Sequence, residues 1–104
     1  MSTADLTVLA LGRQELSASE YIAEIQRRLR KQERVRFQMH AMGTPLQGTT
    51  EDILAVVGEL HSVPFEQGVQ RVYTVLKLDE RRDRPGQTLD DKVRSVEDRL
   101  GDDI

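Results

Sequence analysis

The sequence has no cysteine, which removes disulfides, thiolate zinc sites and cysteine nucleophiles together and leaves the redox compartment open on that count. It has no tryptophan, and its two tyrosines and two phenylalanines do not fall in the aromatic pattern of an RNA-binding sheet. A net charge of -3 gives no general attraction to nucleic acid. No apolar run approaches the roughly 20 residues of a membrane span, and no basic region followed by an apolar one opens the chain. A cytoplasmic protein with no membrane partner is expected. His40 and His61 are isolated, with no second ligand at metal-binding spacing, so no metal is expected. Ser17 and Ser19 read as helix-start residues, and no Ser, His and Asp set has motif context. No nucleophile, metal set or cofactor loop emerges, and the expectation is a protein that is not an enzyme and carries no cofactor.

What is present is one domain's worth of chain. The 104 residues, read as a single domain over 1–104, are enough to bury roughly 60 to 70% of the unfolded surface without staples. Leu6 to Leu11 is a strand-length apolar run with Leu6, Val8 and Ala10 on one side and Thr7, Leu9 and Leu11 on the other. Neither side is polar, which points to a sheet whose back is covered by another subunit. After Gly12, Ser17 to Glu20 has the form of a capping box, with Leu16 and Tyr21 as a hydrophobic staple. The amphipathic helix that follows carries Ile22, Ile25 and Leu29 and ends near Glu33. Val35, Phe37 and Met39 alternate with Arg36, Gln38 and His40 as a second strand. Ala41 to Gly48 reads as a tight turn into a brief third strand, which Pro45 confines to an edge or to its first residues; an edge is expected.

Thr49 or Thr50 caps a second helix with Glu51 and Asp52 in its first turn and Ile53, Val56, Val57 and Leu60 as its core face. Pro64 ends or kinks it, and Gly68 supplies a left-handed cap. From Gly68 the chain alternates Val72, Thr74, Leu76 and Leu78 against Tyr73, Val75, Lys77 and Asp79, a strand with unlike faces. Thr88 to Leu100 closes the chain as a helix with Leu89, Val93, Val96 and Leu100 on one stripe. The order is α+β: a ferredoxin-like βαββαβ sandwich with an additional C-terminal helix. Taken alone, the strand after Gly68 reads as a central one. In the ferredoxin-like order, 4-1-3-2, it is instead an edge unless a partner subunit extends or covers it.

Charge is segregated. Arg27, Arg28, Arg30, Lys31, Arg34 and Arg36 form a basic run, read as the solvated end of a helix and the start of a strand. Asp90, Asp91, Glu97, Asp98, Asp102 and Asp103 form its acidic counterpart. Such regions favour contacts within or between subunits as readily as a ligand.

Several segments together resemble a known family. The turn Met42-Gly43-Thr44 followed by Gly48, the segment Phe65 to Val72, and the tract Leu78 to Pro85 with Lys92 to Val96 are similar to the small thiamine-binding protein family of ferredoxin-like domains, long catalogued as uncharacterised. The resemblance runs from Leu6 to Leu100. It implies a subunit of dimers or a homotetramer that binds thiamine or its hydroxymethylpyrimidine portion as carrier, buffer or sensor; the alternative is a ligand-sensing regulatory module acting on a transporter or enzyme. Ala10 and Ala41 stand where the family often has proline, and Gln47 where it often has glutamate.

A thiamine site of this kind needs an apolar or aromatic wall, a few groups for the pyrimidine edge and something anionic or aromatic near the thiazolium. Under the resemblance, Thr44 and Gln47 would bond the ring edge, Met42 and Tyr73 would wall it, and Asp79 would face the cation, with Gly43, Thr74 and Arg82 completing the candidate set. Each has a plainer reading. Gly43 and Thr44 are also turn residues, and Tyr73 and Thr74 are also strand packing. Asp79, Arg81, Arg82 and Asp83 would serve equally as an ion-pair clasp between subunits or a solvated loop.

Overall fold

The structure is a computed structural model in which residues 1–12 and 18–101 are described. The elements run β1 (Ser2–Leu11), α1 (Ala18–Arg30), β2 (Arg36–Phe37), β3 (Thr44–Gly48), α2 (Thr50–His61), the short α3 (Val63–Glu66), β4 (Arg71–Glu80) and α4 (Leu89–Leu100). The four strands form one antiparallel sheet in the order β2-β3-β1-β4, consistent with the ferredoxin-like arrangement. β4 therefore lies at an edge and β1 at the centre. Leu16 and Ser17, assigned above to a staple and a cap, fall outside the described residues.

The core fills the space between one sheet face and the inward stripes of α1 and α2. Ala4, Leu6, Val8 and Ala10, alternate residues of β1, meet Tyr21, Ile25 and Leu29 of α1 and Ile53, Val56, Val57 and Leu60 of α2 in one buried cluster. The helix-period readings thus hold for α2. For α1 the buried stripe includes Gln26, while Ile22 is exposed. α2 is capped by Thr49, whose hydroxyl accepts from the Asp52 N–H, and Gly68 takes the left-handed φ of +88° after α3. The basic run is the solvated end of α1: Arg27 and Arg28 bind Glu24, Arg28 also reaches Glu66, and Arg34 reaches Glu59.

Two expectations about strands need correction. β3 is an interior strand, not an edge, because Pro45 spends its missing donor on the side where it costs least. The Gln38 N–H donates to the Pro45 carbonyl at 3.2 Å, so Pro45 turns its polar backbone toward β2, where the reciprocal bond cannot form. The β1 side of β3 stays intact. β2 is correspondingly two residues long rather than the full alternation from Val35 to His40.

The opposite sheet face carries α4 at one end. Gln47 and Asp79 flank Thr3 in the sheet register; the Gln47 Oε1 accepts the Leu89 N–H at 2.9 Å, Asp79 pairs with Lys92, and Thr3 between them is buried. α4 begins in a full capping box of Thr88 and Asp91, yet none of its residues is buried. The radius of gyration is 15.7 Å, against about 13 Å for a compact chain of 100 residues. No helix among the described residues is long and apolar enough to cross a membrane.

Candidate ligand-binding cleft

β3 starts at Thr44, opposite Leu6, so the second half of β1 has no strand partner on that side. The chain before β3 instead curls through Met39 to Gly43, with His40 and Gly43 closing a one-pair bridge. Between this turn, β1 and the underside of α1 lies a cleft of about 580 Å³, within the range of small-molecule sites. Its walls are chiefly apolar: Leu6, Val8 and Leu9 from the sheet, Ile22 and Ile25 from α1, and Met39 and Met42 from the turn. Ile22, partly exposed, and Met39 and Met42, largely exposed, all border this cleft.

A few polar groups converge on it. Gln26, 8% exposed, donates through Nε2 to the Thr44 Oγ1 at 3.1 Å. The Thr7 hydroxyl donates to the Met42 carbonyl at 3.3 Å and ties the turn to the sheet. The Ala10 N–H donates to the Tyr21 hydroxyl oxygen at 3.3 Å, which sets the phase of the ladder: even-numbered residues of β1 aim their backbone polar groups away from β4. Val8 consequently turns its N–H and C=O toward the cleft, where no strand stands opposite it. Gly43 packs closely on the Asp5 carboxylate, so a larger residue there would have to push that side chain aside. A Cβ there would lie 2.7 Å from the Asp5 Oδ1.

The structure brings together three of the eight candidate residues, Met42, Gly43 and Thr44. Gln47 and Asp79 hold the start of α4. Asp79 pairs with Thr3, four positions from Thr7 and so about 13 Å along β1 from the cleft. Tyr73 stands exposed on the same sheet face as α4, whereas the Thr74 hydroxyl faces the helices and meets the His61 Nδ1 at 2.6 Å. Arg82 pairs with Glu80 in a second, shallower recess that includes Ser2, Thr50 and Arg81. There the Thr50 hydroxyl, followed by Arg82, holds the Glu80 carboxyl down at about 2. Arg81 pairs with Asp83, so the charged tract forms ion pairs within the chain.

Gln26 and Ile22 are cleft residues that the sequence reading passed over. A signal existed: Gln26 lies four residues after Ile22 and three before Leu29, a polar side chain on a helix's apolar stripe.

A model of the family described as thiamine-binding protein matches residues 4–97. The chain belongs to this thiamine-binding protein family. A UPF0045 protein of Staphylococcus xylosus is 36% identical over 98% of this chain and 97% of its own length. Among solved structures, a hypothetical protein of Methanocaldococcus jannaschii superposes with a TM-score of 0.79 at 30% identity, over 92% of this chain and 95% of that one. A Thermotoga maritima protein, named provisionally for thiamine biosynthesis or salvage, superposes with a TM-score of 0.73 over 91% of this chain and 97% of its own. At 21% identity, it supports the fold alone.

Proposed function

We propose that this member of the thiamine-binding protein family is a non-catalytic cytoplasmic binding protein for thiamine or a related pyrimidine, working as a homo-oligomer. The cleft carries the reading: an apolar slot beside an unpaired strand edge, with two methionines at its mouth and a small buried polar pair at its base. Flat heterocycles with one polar edge suit such a site. The match to the family described as thiamine-binding protein points the same way. Assembly is supported by apolar surface left bare on the single chain. Val93, Val96 and Leu100 of α4, and Leu9, Tyr73 and Val75 on the uncovered sheet face, are all exposed, and β4 presents ten residues of open edge.

Calorimetry and thermal shift on the purified protein test the binding role. Heat and stabilisation with thiamine or 4-amino-5-hydroxymethyl-2-methylpyrimidine are expected; neither signal with either compound at millimolar concentration would sink it.

A further inference from the structure

We infer that Gln26 and Thr44 together read the amino-substituted edge of a pyrimidine, making Gln26 the residue that sets this protein's preference for aminopyrimidines over oxo-pyrimidines. The inference rests on the pyrimidine-binding role proposed above and adds to it a chemical class and a discriminating side chain. Gln26 is more than nine-tenths buried, in the helix stripe that otherwise packs the core, and it lines the cleft. Its Nε2 is spent on the Thr44 oxygen. Its Oε1 has no hydrogen-bond partner among the described residues and is not sealed from solvent, so the open side available to it is the cleft.

The pair is polarised by its own hydrogen bond. Because the Thr44 oxygen accepts from Gln26, the Thr44 hydroxyl hydrogen is left to donate, while the Gln26 carbonyl is left to accept. Acceptor and donor side by side complement an exocyclic amino group next to a ring nitrogen. The amino N–H donates to the Gln26 Oε1, and the ring nitrogen accepts from the Thr44 hydroxyl. An oxo-pyrimidine presents a carbonyl beside a ring N–H: the carbonyl sets acceptor against acceptor at the Gln26 Oε1, whereas the Thr44 oxygen keeps a second lone pair that can take the ring N–H, so the discrimination falls on Gln26. Leaving buried polar groups unpaired is how such a site rejects the wrong edge.

The test is a titration of wild type, Gln26→Leu and Thr44→Val with 4-amino-5-hydroxymethyl-2-methylpyrimidine and with the analogue that lacks the amino group. In the wild type the amino group should strengthen binding roughly tenfold, and in Gln26→Leu by no more than about twofold, since the partner of that group is gone. An undiminished amino preference in a folded Gln26→Leu protein overturns the inference and leaves the binding role standing. A wild type that binds neither probe nor thiamine overturns both. Where Gln26→Leu fails to fold, the side-chain amide resonances of Gln26 in the wild type decide: they shift with the amino probe and not with its analogue, and equal or absent shifts overturn the assignment.

Discussion

Helices α2 and α4 are each twelve residues long, each starts from a threonine whose hydroxyl accepts from the third backbone N–H of the helix, and each has two acidic residues in its first turn. Judged by local signals they are equals, and α4, with its complete capping box, is the better specified. Their surroundings differ completely. α2 buries Ile53, Val56, Val57 and Leu60 against the sheet, whereas α4 buries nothing and is held at its start by Gln47 and, through Lys92, by Asp79. A capped amphipathic helix of twelve residues is marginal in water unless its apolar face is covered. The stripe of Val93, Val96 and Leu100 is therefore incomplete on a single chain, and a second copy is the occupant consistent with the proposed homo-oligomer.

The contrast is most sharply drawn by matched apolar substitutions. Ile53→Ala, at a fully buried position of α2, should destabilise the subunit by about 2 to 5 kcal/mol. Val96→Asp, at an exposed position of α4, should change subunit stability by less than about 0.5 kcal/mol but lower the mass seen in light scattering. Denaturant melts with scattering separate the two; a wild type that is already monomeric would break the comparison.

Removing the caps gives a smaller effect. Thr49→Ala should cost about 1 kcal/mol in the global transition, because α2 unfolds with the core. Thr88→Ala in a dilute sample should lower helix content by circular dichroism while leaving the main midpoint in place. Equal shifts from both would mean that α4 is part of the cooperative unit.

The smallest effect lies at the pin between α2 and β4. Glu80 bonds Thr50 and Ser2, and its carboxyl sits at about 2 against an ordinary 4.5, chiefly through the Thr50 hydroxyl. The folded chain thus favours the carboxylate, and the associated stability is complete above pH about 4.5 and fades as the pH falls toward about 2. Solvent screens this exposed group, so the slope is shallow. Acid melts of Glu80→Gln should lose that part of the slope and match the wild type at the low end.

Much of the architecture was legible from residues. Period-two and period-three-to-four patterns located the strands and helices, and Thr49, Thr88 and Gly68 marked their ends, because those choices depend on neighbours a few positions away. The place of β3 in the sheet was misjudged from Pro45, since a sequence does not say which of two neighbouring strands a missing N–H will face. The candidate site was legible in part. The Met42-Gly43-Thr44 turn was noticed, but Gln26 was absorbed into a helix, and Gln47 and Asp79 were assigned to a ligand while in the chain they hold α4.

The amino-acid order by itself determined the order of the four strands and three long helices, the core stripe of α2 and the family. Tertiary structure decided where β3 begins against β1 and so where the cleft opens, that Gln26 meets Thr44 eighteen positions along the chain, and that one well-capped helix is buried and its equal is not. Local periodicity is written in successive residues; which surfaces meet depends on the sheet order, and that is a property of the whole chain.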